Sequence, residues 1–329
     1  MLCLLHNDLD AASCAWNIQT LVKIKKFFFT NYANLTDIVN EVIDYAEKKN
    51  HNEIIIADVS MSDNQTALDK LYDYFVMKQG GGILYIDHHM YADGFFDKYS
   101  SPGFKCIWDN TKSAGFLCRE TFTKKTKYYD HKLNQFNANL TRLTILADVY
   151  DCWRTDHPWF DEAQDLNEYF FFNKQAIEEN VVNFGNKLRE NNFELFEDYP
   201  DFVKELHESQ NKVIANMEDQ HRILRMSKDG ISVTLVMSWD CFNPILISEM
   251  KKGVDFVIGV NAYGTFKVRI NGKSKLSLNF KKMLRKELVG NENFGHPEAF
   301  TYRIKDLSYD NIQKESNKIV SLILKYKNL

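Results

Sequence analysis

Acids and histidines gather where short apolar runs end. His6, Asp8 and Asp10 follow Leu2–Leu5, Asp58 closes Ile54-Ile55-Ile56-Ala57, and Asp87, His88 and His89 close Leu84-Tyr85-Ile86. Asp148 and Asp151 stand in Leu146-Ala147-Asp148-Val149-Tyr150-Asp151-Cys152-Trp153, at an expected helix end. One Asp after a strand is ordinarily an N-cap for the next helix. Three strand ends with carboxylates, two of them with histidine, are harder to explain that way, because converging like charges repel unless cations lie between them. Carboxylate and imidazole ligands without thiolates suit Mn²⁺, Mg²⁺, Fe or Co better than a structural zinc site. There are enough of them for two ions, and paired metals are the usual device for in-line attack on phosphorus. Asp148 and Asp151 lie one helical turn apart, so both can face one site.

The elements that must position these groups follow from periodicity. Leu2–Leu5, Lys26–Tyr32, Glu53–Val59 and Gly82–Asp87 read as strands, and Ala12–Val22, Leu35–Lys49 and Asn64–Met77 as helices between them. Such alternation predicts a mostly parallel, buried sheet with helices on both faces, whose ligands bind at the carboxyl ends of the strands. Gly80-Gly81-Gly82 is a turn, and from Ser113 past Leu188 the pattern is helical. Asp198-Tyr199-Pro200-Asp201 breaks it, and a charged helical stretch runs from Phe202 to about Arg225. A second β-rich unit follows, with strands Ile231–Met237, Val254–Asn261 and Thr265–Ile270, helices near Pro244–Lys251 and Phe280–Leu288, and a hairpin turn at Gly264. Asp310–Tyr326 has helical spacing. The expected class is therefore α/β. Residues 1–200 are expected to form one domain, 201–226 a helical connector, and 227–329 a smaller α/β domain.

Composition narrows the function. The 329 residues carry 44% hydrophobic and 26% charged side chains, which excludes a disordered or fibrous chain. No apolar run approaches the ~18 residues of a membrane span, and the start lacks the pattern of an export signal. A net charge of −4 does not demand the basic surface of a long-duplex binder. Six scattered cysteines without a CxxC pair argue against a zinc knuckle or a disulfide framework. A reducing cytoplasm is the expected compartment.

Four motifs in order, His6-Asn7-Asp8-Leu9-Asp10, Ala57-Asp58, Ile86-Asp87-His88-His89 and Tyr150-Asp151-Cys152-Trp153, make the chain resemble the DHH phosphoesterase superfamily. It looks most like the nano-RNase B type of oligoribonuclease. Thr111-Lys112-Ser113-Ala114 is similar to that branch's small turn opening a helix, and Leu166–Phe171 to its post-motif helix. The C-terminal unit resembles the DHH-associated domain, with Arg269 on a strand and a loop ending Phe294-Gly295-His296. That loop departs from the family in having only Gly290 and Gly295 around Asn291-Glu292-Asn293-Phe294, and Ala11 stands where a Gly is common.

The resemblance implies two divalent metal ions, Mn²⁺ first, with Mg²⁺ or Co²⁺ as alternatives. His6, Asp8 and Asp58 would hold one, and Asp10, Asp58, His88 and Asp151 the other. Asp151 is favoured over Asp148 by its place in the fourth motif. His89 and Asp87 are the catalytic positions, His89 contacting the scissile phosphate or protonating the leaving oxygen. Arg269, Gly295, His296 and Ser113 are the substrate-binding positions, the Arg as a bidentate fork on phosphate. The implied activity is hydrolysis of short oligonucleotides, linear dinucleotides among them, to mononucleotides, with no membrane or long-duplex partner and a homodimer as the candidate assembly. Rival readings are a RecJ-like single-strand exonuclease, a cyclic-dinucleotide phosphodiesterase, a phosphatase on a small ester, and a nucleotide-binding module without catalysis.

Overall fold

A computed structural model describes the chain apart from residues 32, 63, 124–130, 173–185, 187, 192–193, 196, 221, 229, 239–242, 262–263, 272–277, 290–298, 305–307 and 327–329. Its contacts divide the chain into two compact units, residues 1–152 with 157–199, and residues 153–156 with 200–329. None of the described helices is long and apolar enough to cross a membrane.

The first unit is built on five parallel strands: β1 Leu2–Leu5, β2 Phe27–Phe29, β3 Glu53–Ala57, β4 Gly82–Asp87 and β5 Phe104–Trp108. Their order is β2-β1-β3-β4-β5, so the chain reverses direction across the sheet between β1 and β3. Sheets of this order take ligands in the crevice outside that switch point. The uninterrupted apolar runs are what a strand buried on both faces requires. Leu2, Leu4, Ile54, Ile56, Ile83 and Tyr85 point to one face. There they meet α2 (Leu35–Lys49) and α3 (Gln65–Tyr72). The buried stripe Leu35, Val39, Val42, Ala46 is the apolar face of an otherwise charged α2.

The expected helix Asn64–Met77 continues past α3 only as a π-helical turn, Asp73–Lys78. Two of the three glycines after it have separate reasons. Gly80 adopts φ +61°, and a Cβ on Gly81 would stand 1.8 Å from the Asn52 carbonyl oxygen.

On the other face lies a helical layer of α1 (Leu9–Ile18), α4 (Ala114–Thr123) and α5 (His131–Asp151). All ten residues of α1 are buried, and its Ala11, Ala12, Cys14 and Ala15 let the neighbours approach closely. Asn17 ties the layer together, its Nδ2 donating to the Ser13 carbonyl and to Thr144 Oγ1, both at 2.9 Å. The helix α6 (Phe160–Phe172) packs on α5. Five described cysteines are free thiols.

The second unit opens with α7 (Tyr199–Asp219). The helix expected through about Arg225 stops at Asp219, because Ile223–Lys228 pairs with the next strand as β6. Ladder hydrogen bonds there outweigh helical periodicity. Then come β7 (Ile231–Ser238), α8 (Asn243–Lys251), β8 (Phe256–Asn261), β9 (Thr265–Ile270), α9 (Leu278–Val289), β10 (Ala299–Arg303) and α10 (Tyr309–Tyr326). The sheet order is β10-β9-β8-β7-β6, with β7 and β8 parallel and the other pairs antiparallel. Gly264 turns the β8–β9 hairpin at φ +70°. Phe256, Phe266, Phe280, Ile319 and Ile323 form its core.

Leu4 sits fully buried in a strand flanked on both sides. Leu4→Ala is expected to destabilise the first unit by about 2–5 kcal/mol, read as a lowered denaturant midpoint. An unchanged midpoint would contradict this packing.

Candidate metal centre

The acids converge because β1, β3 and β4 run side by side and end together. Asp8 caps α1, its Oδ1 accepting from the Ala11 N–H at 3.0 Å. Its Oδ2 lies 2.7 Å from His6 Nδ1, so the capping role expected of an isolated Asp is present together with an imidazole contact. Asp58 follows β3 at φ +57°, a left-handed conformation that costs a non-glycine residue energy and is concentrated at functional sites. Its backbone N–H is tied to the Ile86 carbonyl.

His88 Nε2 lies 3.5 Å from Asp58 Oδ1 and 3.3 Å from Asp151 Oδ2. Three sets of side chains bring their ligand atoms within 4.8 Å of one another: His6, Asp8 and Asp58; Asp58, Asp87, His88 and His89; and His88, Asp151 and Cys152. Asp58 and His88 each belong to two of them.

Asp87 is differently employed. It is fully buried and accepts from the His88 backbone N–H and His89 Nδ1–H, both at 2.8 Å, and from the Tyr91 hydroxyl. Tyr91 in turn meets the Tyr85 hydroxyl at 2.8 Å. With three donors Asp87 orients His89, whose ring centroid is 4.6 Å from that of His88.

Asp10 and Asp148 support the helical layer. The Gly115 N–H points at both carboxylate oxygens of Asp10, at 3.1 and 3.2 Å. Asp148 is buried and accepts the Ser113 N–H at 2.7 Å, while Ser113 Oγ accepts from the Phe116 N–H at 3.3 Å. Asp151, and not Asp148, stands with His88; Asp10 lies outside the three sets, although the Asp151 charge acts on it.

Sequence reasoning missed Tyr91 and Gly115. Nothing in the spacing marks Tyr91. Gly115 had a signal in the small-residue turn, and a Cβ there would stand 2.7 Å from Asp10 Oδ1 and 2.5 Å from Ser13 Oγ.

Arg269, in the second unit, lies on β9 between Val257 and Ala299, with its guanidinium carbon 4.9 Å from the Trp153 ring centroid. Gly295 and His296, like Phe294, lie outside the described residues.

Electrostatics separates the acids. Burial, then the His89 charge and hydrogen bond, act in opposite directions on Asp87, and the imidazole wins, leaving its pKa at about 2. Burial would likewise raise Asp8, but His6 and the Ala11 N–H hold it well below the usual range. Burial and the Asp8 charge push Asp151 up to about 7. Burial, with neighbouring carboxylates, raises Asp10 and Asp58 far above the usual range. Burial would lower His6 and His89, but their Asp partners raise both.

Asp58 Oδ2 and Asp151 Oδ2 are shut off from solvent with no hydrogen-bond donor among the described residues. Buried acceptors left this way cost free energy, so the donor set fits hard divalent cations.

The site thus occupies the carboxyl ends of a parallel sheet at its topological switch point, the architecture of ligand-binding doubly wound α/β proteins. No family model and no curated protein matches the chain. Among solved structures, 98% of it aligns with 99% of a pGpG-specific phosphodiesterase, PggH from Vibrio cholerae, at 13% identity and a TM-score of 0.54. CDC45 from Entamoeba histolytica aligns over 97% of this chain and 95% of its own, at 11% identity and TM-score 0.50. An uncharacterized protein from Helicobacter pylori aligns over 97% and 98%, at 16% identity and TM-score 0.47. At these identities the likeness is one of fold.

Two predictions follow from the site's charges and close contacts. Between 3.8, the ordinary Asp value, and about 7, the folded chain holds protons on Asp151 that the unfolded chain releases. Asp10 and Asp58 add to this, and His6 and His89, raised above 6.5, extend the same sign upward. Asp8 and Asp87, lowered, act only as pH falls below 3.8. Metal-free protein is therefore expected to lose stability as pH rises from 4 to 7, and Mn²⁺ to restore it most at the upper end. A melting temperature that climbs over that range without metal would refute the charge assignment. Gly115→Ala should displace Asp10 and weaken Mn²⁺ binding, measured by calorimetry.

Proposed function

We propose that the chain is a metal-dependent phosphodiesterase acting on short oligonucleotides, hydrolysing them to mononucleotides. The observation that carries the reading is the sharing of Asp58 and His88 between neighbouring ligand sets at one sheet end. The fold shared with a protein titled a pGpG-specific phosphodiesterase supports it and makes a linear dinucleotide the first substrate to try.

His6, Asp8 and Asp58 would hold one divalent ion, and Asp10, Asp58, His88 and Asp151 a second. Such a pair, when bound, supplies a water of lowered pKa and neutralises charge on the phosphate. The remaining residues act directly. His89 is held by Asp87 through Nδ1, which presents Nε2 to the scissile phosphate or the departing oxygen. Tyr91 fixes Asp87, and Gly115 and Ser113 fix Asp10 and Asp148. Arg269 is the proposed fork for a substrate phosphate, its guanidinium carbon lying over the Trp153 ring.

The test is turnover of 5′-labelled pGpG, a pentanucleotide and a long single strand with Mn²⁺, Mg²⁺ and Co²⁺. The dinucleotide with Mn²⁺ should be cleaved fastest, and Asp58→Asn should abolish both turnover and metal retention. His89→Ala should lower kcat by on the order of 10²–10⁴-fold, as loss of a general acid does, while metal content stays at the wild-type level. No turnover of any substrate with any of the three metals would overturn the proposal. Faster cleavage of the long strand would favour the exonuclease reading.

A further inference from the structure

We propose that Trp108 is the platform on which a substrate nucleobase stacks beside the metal centre, a deepening that rests on the phosphodiesterase reading. Trp108 ends β5 and is the register partner of Asp87, so its Cα stands one strand spacing from the Asp-His-His segment. Its indole N–H donates to the His89 carbonyl at 2.7 Å. The ring is nevertheless 45% exposed.

Singly exposed apolar side chains are common and need no explanation. Leu21, Met77, Trp159 and Val213 are of that kind. What separates Trp108 is the hydrogen bond that fixes its orientation, and the identity of its partner, the backbone of the residue proposed to contact the scissile phosphate. A pinned aromatic face stacks without a further loss of rotamer freedom.

The neighbouring loop identifies the ligand as a base and not a phosphate. Lys112 is engaged with Glu120 at 2.8 Å and lies 3.9 Å from Asp109, so among the described residues the loop after β5 offers no uncommitted cation. With the indole N–H spent on His89, Trp108 presents only its π-face. Stacking on such a face tolerates any base, so the platform favours nucleotides over simple phosphate esters without imposing a sequence.

The experiment compares wild type, Trp108→Ala and Trp108→Phe on a dinucleotide and on its abasic analogues with Mn²⁺. The alanine variant should raise KM for the intact dinucleotide by roughly 5- to 150-fold, the range of one base–aromatic stack. The preference for intact over abasic substrate should collapse in Trp108→Ala and persist in Trp108→Phe, which keeps a π-face and loses the hydrogen bond. A preference retained in Trp108→Ala overturns the proposal. So does a Trp108→Phe enzyme as impaired as the alanine variant with kcat reduced, which would assign the indole to holding His89. If wild type cleaves neither substrate, the phosphodiesterase reading fails. The stack is then read by binding alone: a 2-aminopurine dinucleotide should be quenched by wild type and not by Trp108→Ala, and equal quenching, or none, overturns it.

Discussion

Mutual repulsion among converging carboxylates is the constraint around which the first unit is organised. Asp8, Asp10, Asp58, Asp87 and Asp151 converge at one end of a sheet, where low dielectric magnifies every like-charge contact. The protein does not treat them alike. Asp87 receives three donors, Asp8 an imidazole and an amide, and Asp10 the Gly115 amide. Asp58 and Asp151 each keep an oxygen without a donor. This unequal provision divides the acids by employment. A carboxylate saturated with donors and held at about 2 is a permanent anion that orients its neighbour, as Asp87 does His89. Oxygens left bare await a ligand that the polypeptide does not provide.

The surrounding architecture follows from that need. Asp10 can be buried only if α4 approaches α1 closely enough for the Gly115 amide to reach it, and a methyl group on Gly115 would close that gap. The close approach explains the run of small residues on α1. Asn17, bridging to Thr144, fixes α5, which carries Asp148 and Asp151 into place. Even the left-handed backbone at Asp58 belongs to this economy, since the strand must stop abruptly to turn its carboxylate inward.

How much of this was legible depends on where each element lies. The central strands declare themselves, because burial on both faces leaves runs such as Ile54-Ile55-Ile56-Ala57. The strands that escaped reading, β5, β6 and β10, all lie at sheet edges. Phe104-Lys105-Cys106-Ile107-Trp108 and Ile223-Leu224-Arg225-Met226-Ser227-Lys228 mix charged and apolar residues, as half-solvated edges do. The candidate ligand residues were visible because strand ends concentrate them. Tyr91, Gly115 and Trp108 were not: Gly115 matters through a partner distant in sequence, Trp108 through an exposure no pattern records, and Tyr91 through a hydroxyl contact whose spacing marks nothing. The choice between Asp148 and Asp151, open on spacing alone, is separated in space: one carboxylate faces the Ser113 amide, the other His88.

The same charge distribution constrains how a substrate can enter. An oligonucleotide is itself a polyanion, and on the proposed function it must approach a sheet end bearing five carboxylates in a chain of net charge −4. Without cations the field opposes it; with them most of the negative charge at the sheet end is offset. Metal and substrate affinities must then be linked, and linkage is reciprocal: whatever factor the metal adds to substrate affinity, the substrate adds to metal affinity. A short substrate suits this arrangement, because only the few phosphates near the sheet end gain from the offset charge, while further phosphates meet a chain whose net charge is −4. Selection for short chains can therefore arise from electrostatics local to the strand ends, before any length-measuring contact is invoked.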